Sequence, residues 1–269
     1  MIKRVLIKLI IALSIIGLLP LYSLAQTQTN TQAARKFDEF GDLQFSDLTA
    51  RLDNFAEQLE NEPSAKGFLI VYRARRDLPG LSNRYAQRMK NFLIRSRGLS
   101  KDRIVAVDGG ATDCFIQELW IVPKGSAPLP RRDAYSRVFE DKDSARKFDE
   151  YYFSSPQEKS EVGSFEDIED EAANLEPFAA ALRNESRSQA YIIAYAQAYY
   201  LRRPDPPGVA FKMLKTVRDI LIRQYHIASS RIKVVNGGYR KLGQVELWIV
   251  PRGEHPPIAT PNAFPKRRR

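Results

Sequence analysis

Few residues in this chain have side chains suited to reaction chemistry, and those few stand apart. His226 and His255 are the only histidines, and Cys114 is the only cysteine. A metal centre needs several His, Cys, Asp or Glu side chains converging on one point. A Ser-His-acid system would have to recruit one of the two histidines, and neither is near a strained strand-to-helix serine turn. His226 falls at a helix end, aligned with Gly98, so a capping or surface role is expected for it rather than a ligand role, and His255 falls in a proline-rich tail. Cys114 reads as a small packing residue. Acids crowd together in Glu166-Asp167-Ile168-Glu169-Asp170-Glu171, yet such insertions are usually solvated. The glycine pairs Gly109-Gly110 and Gly237-Gly238 lack the following helix start that a phosphate cradle requires. No enzyme class, metal or cofactor is expected.

What remains is charge. The formal net charge is +10 at pH 7, or +7 once Lys3, Arg4 and Lys8 of the N-terminal segment are set aside. Between Lys66 and Arg103 there are eleven Lys or Arg against two acids, Asp77 and Asp102, and the chain ends Lys266-Arg267-Arg268-Arg269. Candidate contacts for an anionic partner are Arg73, Arg75, Arg76, Arg84 and Arg88, with Asp77 among them. On an exported protein such a face suits anionic polymers or lipid head groups rather than DNA. The plain alternative is a solvated helix face.

The elements that must place these residues are written twice. Glu118-Leu119-Trp120-Ile121-Val122-Pro123 recurs letter for letter as Glu246-Leu247-Trp248-Ile249-Val250-Pro251. Each copy reads as a strand, rich in β-branched and aromatic residues and stopped by proline. The segments 103–110 and 231–238 precede them and end in the glycine pairs, so each reads as the first half of an antiparallel hairpin. Ala34-Arg35-Lys36-Phe37-Asp38-Glu39-Phe40 returns as Ala145-Arg146-Lys147-Phe148-Asp149-Glu150-Tyr151.

Between these strands, Leu48, Leu52, Phe55 and Leu59 form one helical stripe behind Ser46 as N-cap. Phe68 to Tyr72 is an apolar run suited to a central strand. A second helix is expected from about Ser82 to Arg97, with Tyr85, Met89, Phe92 and Leu93 inward and Gly98 just past its end. Leu175, Phe178 and Leu182, then Tyr191 to Tyr195, then Phe211, Leu214, Val217 and Leu221 repeat the order. Equivalent residues lie 111 apart at Phe37 and Phe148, 123 at Phe55 and Phe178, and 128 at Trp120 and Trp248, which locates two insertions. The tryptophans are expected to fill the sheet–helix core. Among Tyr72, Tyr195, Tyr199 and Tyr200, those near 195–200 are the surface candidates. The expected class is α+β, with two tandem βαβαββ modules, each a mixed sheet backed by two helices.

The ends of the chain carry an address. Lys3 and Arg4 precede an apolar run from Val5 to Leu19, and Ser23-Leu24-Ala25 offers small residues for cleavage before Gln26. This reads as a secretory signal peptide, with an uncleaved anchor as the alternative. No later run reaches transmembrane length, so the mature chain is expected to have no membrane-spanning segment. The expected divisions are signal peptide 1–25, linker 26–33, module one 34–126, linker 127–144, module two 145–254 with its acidic insertion, and a Pro-rich basic tail 255–269 without core residues.

A family resemblance now becomes visible. Phe37-Asp38-Glu39-Phe40-Gly41, Leu52-Asp53-Asn54-Phe55-Ala56, Phe92-Leu93, Arg97-Gly98-Leu99, Arg103-Ile104 and Gly109-Gly110 resemble the OmpA-like C-terminal domain. The resemblance covers most of residues 34–125 and 145–253. It implies the order strand, helix, strand, helix, strand, strand, a Gram-negative periplasmic or outer-membrane-associated setting, and non-covalent contact with peptidoglycan. The family's binding residues are largely replaced. Its Gly-His-Thr-Asp type turn ends here at Arg76, with Asp77 one residue later, and its second-helix Arg falls at Tyr85, beside Arg84. A shift of one residue turns a helical side chain by about 100°. In module two those places hold Tyr199-Tyr200-Leu201 and Met213. The family's Asn-Arg-Arg corresponds to Cys114-Phe115-Ile116 and Leu242-Gly243-Gln244.

The expected function is therefore non-enzymatic. The chain reads as an exported cell-envelope binding or scaffolding protein, contacting peptidoglycan or another anionic envelope polymer. The alternative is a periplasmic protein–protein adaptor that has lost peptidoglycan binding, recruiting an envelope protein through the acidic insertion at 158–171 or the basic tail.

Overall fold

The computed structural model describes residues 33–129, 131–135, 142–153, 171–198, 204–206 and 208–263. The signal peptide, nearly all of the first linker, the acidic insertion up to Asp170, Tyr199, Tyr200 and the terminal basic run lie outside the described residues.

Module one comprises β1 (Arg35–Phe40), α1 (Phe45–Asn61), β2 (Lys66–Ala74), α2 (Leu81–Arg95), β3 (Ile104–Thr112) and β4 (Ile116–Val122). Module two repeats the order as β5 (Arg146–Tyr152), α3 (Glu171–Asn184), β6 (Gln189–Gln197), α4 (Val209–Arg223), β7 (Ile232–Arg240) and β8 (Gln244–Val250). The fold is α+β, with two four-stranded mixed sheets and four helices among the described residues. Strand orders are β1-β4-β2-β3 and β5-β8-β6-β7, so the duplication extends to topology.

The antiparallel hairpin expected at the glycine pairs does not form. β3 runs parallel to β2, and β4 lies on the other side of β2, antiparallel to both β2 and β1. The apolar run at 68–72 is central, as its composition predicts. The glycines serve a bulge within β3: Val71 pairs with Asp108 and Arg73 with Ala111, leaving one extra residue on β3. Gly110 takes φ +89°, and Asp108 Oδ1 accepts its N–H at 2.9 Å. Gly238 (φ +84°) and Asn236 repeat this at 3.0 Å. Such a bulge needs a residue free to enter the left-handed region. Its neighbour has a different task, since a Cβ on Gly109 would fall on the Tyr72 ring, and one on Gly237 on the Tyr195 ring.

Each sheet has its helices on one face. Leu52, Phe55 and Leu59 of α1 and Met89 and Leu93 of α2 meet Leu69, Val71, Leu119 and Ile121. The second core matches, with Leu175, Phe178, Leu182, Leu214, Val217 and Leu221 against Ile192, Ala194, Leu247 and Ile249. Alternation along β4 then sends Trp120 the other way, since strand side chains switch faces at every residue. Trp120 lies with Ile70, Tyr72 and Val122 in a separate outer cluster, not in the sheet–helix core that its hydrophobicity suggested.

Other expectations shift for local reasons. α1 starts at Phe45 with Gln44 as N-cap, and the Ser46 side chain does not cap it. Phe211 is 61% exposed, because the inward stripe of α4 is Ala210, Leu214, Val217 and Leu221. Cys114 is exposed between β3 and β4 rather than packed. Gly98 takes φ +71° past the end of α2, and His226 takes the same left-handed place with φ +56°. Residues 256–263 are not without core contacts. Ala263 is buried, and Asn262 N–H donates to the Tyr239 carbonyl at 3.1 Å.

Candidate functional site

The joint between the modules is built at the first turn of α2. Arg84 Nε and Nη2 reach the Asp149 carboxylate at 3.2 and 3.3 Å, and both side chains are buried. The Gly80 N–H donates to the Phe148 carbonyl at 3.0 Å, and Asn83 Nδ2 to the Ala173 carbonyl at 3.3 Å. Gly80 permits the approach, because a Cβ there would be 2.7 Å from Asp149. The start of a helix favours a carboxylate, and the guanidinium supplies a forked donor. Burial pushes the Asp149 carboxyl up, against the opposing pull of Arg84.

Comparing the two copies explains why this pair crosses between modules. Asp38, the counterpart of Asp149, is held within its own module by Arg51 at 2.6 Å. The residue matching Arg51 in module two is Asn174, which carries no charge. Asp149 therefore takes its cation from module one.

A second constellation occurs in both copies on the outer sheet faces. Glu118 is fully buried, with Lys36 Nζ at 2.7 Å, Trp120 Nε1 at 2.8 Å and Arg131 Nη1 at 3.2 Å. Glu246 has Lys147 Nζ at 2.9 Å, Trp248 Nε1 at 3.1 Å and Arg240 Nη2 at 3.0 Å. Burial alone would raise the Glu246 carboxyl, but the bonds from Lys147 and Trp248 hold it below the usual range. Tyr72 Oη lies 3.5 Å from Glu118, and burial with that negative charge pushes it up to about 12. Segments following each β4-type strand cover these clusters. Tyr135 bridges to Ala111 beside the first, and the Thr260 N–H donates to Tyr195 Oη over the second. Paired and enclosed carboxylates of this kind hold a structure together and offer no open group for proton transfer.

The basic residues singled out in the sequence do not converge on one pocket. Arg73 is buried and donates to the Asp77 carbonyl at 3.0 Å, while Asp77 Oδ2 accepts the Ala74 N–H at 2.8 Å. Asp77 is thus committed to closing the β2–α2 loop. Asp205, with Oδ2 2.9 Å from the Gln197 N–H, does the same in module two, a role hidden there by the inserted residues. Arg75 is exposed and pairs with Asp113 at 2.9 Å beside the Tyr135 ring. Arg76 is exposed, and Arg88 is half-buried over Tyr85. Arg84 is in the joint. Tyr72, Trp120 and Tyr195 are buried, which removes them as surface aromatics.

A shallow pocket is lined by Asp42, Leu43, Phe45, Leu48, Tyr85 and Arg88. Among the described residues no group of three or more His, Cys, Asp or Glu could hold a metal ion. No helix among them is long and apolar enough to cross a membrane. Sequence reasoning missed Asp149. The signal was available in the replacement of Arg51 by Asn174 between two otherwise matching copies. Compared with family models and with curated proteins, the chain matches none.

Proposed function

We propose that this chain is a non-enzymatic exported cell-envelope protein acting as a protein–protein adaptor or scaffold. The observation that carries this reading is the occupation of Arg84 by Asp149. Among the candidate cations, Arg84 is the one best placed at a helix start to grip a carboxylate, and the protein's own second module supplies that carboxylate. Two modules fixed to each other in this way present broad surfaces to a partner. The apolar start to the chain and the likeness to the OmpA-like domain support an envelope setting.

A second reading is contact with peptidoglycan or another anionic envelope polymer through Arg76 and Arg88. The pocket beside Tyr85 and Arg88 favours it. Co-sedimentation of the protein with purified sacculi separates the two. The adaptor reading expects no salt-sensitive retention. Retention that falls with added salt and disappears in an Arg76→Ala/Arg88→Ala variant transfers the function to the wall polymer. Fractionation of cells expressing the full chain tests the address, with the protein expected outside the cytoplasm.

A further inference from the structure

We propose that the start of α4, at Gly208, Phe211 and Lys212, is an assembly site for a second copy of this chain, whose β1–α1 face would dock there as β5–α3 docks on α2. This goes beyond the adaptor reading and does not depend on it. The internal joint is heterologous, with a helix-start surface on one module and a strand-and-helix surface on the next. Because the chain is a duplication, both surfaces exist twice and the joint uses one of each. A heterologous contact that is repeated between copies builds rings or open filaments.

The unused helix-start surface has the marks of its partnered twin. Gly80 is a glycine because Asp149 leaves no room for a Cβ. Gly208 stands at the equivalent place with an ordinary φ of −81° and no described residue within 4 Å of a Cβ. Beyond the general suitability of glycine at a helix N-cap, neither a left-handed backbone nor a described neighbour calls for it. Lys212, at the position of Arg84, is exposed. Phe211, at the position of Asn83, is a large apolar side chain left 61% exposed in the first turn of the helix.

The unused opposite surface complements it. Asp38 holds the place of Asp149, and its carboxylate would meet Lys212 and the α4 start. Ala50 holds the place of Ala173, and it is exposed where Phe211 would land. Asp38 already pairs with Arg51, but the side chains are 24% and 41% exposed, and pairs so open to water are cheap to rearrange.

The test uses the full chain carrying Cys114→Ser, which removes the exposed thiol. Ala50→Cys and Phe211→Cys on the same chain are expected to give a disulfide-linked ladder of multimers on mild oxidation. Either substitution alone is expected to give none, and co-expressed single variants only a dimer, because each such chain carries a single thiol and can form only one disulfide. Adding Gly208→Val to the double variant is expected to abolish the ladder while leaving the chain folded, with at most a small drop in melting temperature from Val in place of Gly at a helix N-cap, since no described residue lies within 4 Å of the added Cβ. The proposal is overturned by a chain that sediments as a monomer at every concentration. It is overturned equally by Phe211→Cys cross-linking to itself, which marks a two-fold contact, or by a ladder that survives Gly208→Val.

Discussion

Asp38 and Asp149 occupy one position in two copies of the same strand, yet one finds its cation inside its module and the other across the joint. Removing Arg84 would leave the Asp149 carboxylate buried and unpaired, which costs about 3–5 kcal/mol for such a pair. Arg84→Ala is therefore expected to lower the urea midpoint by that equivalent, whereas Arg51→Ala, at an exposed pair, costs about 0–1 kcal/mol. Equal losses from the two substitutions would contradict this account. Tyr72 provides a pH readout. Its hydroxyl stays protonated in the fold up to about 12, against 10.0 for the ordinary group. A raised folded value means that its contribution is fully present below the unfolded value and is lost as pH rises through the folded one. Stability is thus expected to fall between those limits, and less so in Tyr72→Phe. Alkaline difference absorbance should show one tyrosine fewer titrating near pH 10 in the wild type than its exposed tyrosines plus Tyr72 would give.

At the level of elements, the glycine pairs and helix ends decide geometry. Gly237 lets β7 pass the Tyr195 ring, and a Cβ there would overlap it. Gly237→Ala is expected to cost about 1–3 kcal/mol by overpacking, measured as a lower denaturation midpoint, and Gly109→Ala should match it. His226 ends α4 in a left-handed conformation that Gly98 adopts without strain after α2. A non-glycine residue in that region costs roughly 1–2 kcal/mol, so His226→Gly is expected to raise the melting temperature. A fall would mean that the exposed imidazole has a role that its position at the helix end does not explain. The 3-10 turns before β3 and β7 are fixed in the same way in both modules. Arg103 donates to the carbonyls of Leu59, Glu62 and Ala65, and Arg231 to those of Leu182, Glu185 and Ser188. One guanidinium thereby satisfies orphan carbonyls at a helix end.

For the whole molecule, the joint makes two repeats into one compact unit. The buried Arg84–Asp149 pair and the Gly80–Phe148 bond couple the unfolding of the modules. Calorimetry is expected to show a single transition for the wild type. In Gly80→Val, whose side chain would strike Asp149, it is expected to split into two. A wild type that already melts in two steps would show that the joint contributes little to stability.

The sequence alone determined the duplication, the element order and the central strand, because repeated words and hydrophobic periodicity are local properties. It also marked Gly98 as a helix stop and placed most core positions, since a helical stripe or a strand pattern needs no knowledge of distant residues. Strand order lay beyond it. Gly109-Gly110 fits a hairpin turn or a bulge equally well until β2 is seen between β3 and β4. Hydrophobicity alone points Trp120 and Trp248 to the core, whereas their face follows from the register of the sheet. The fate of Arg84 was decided by tertiary structure alone. A basic residue near a helix start is legible in the chain, but the carboxylate that occupies it lies 65 residues away, and only the packing of the second module on the first brings the two together.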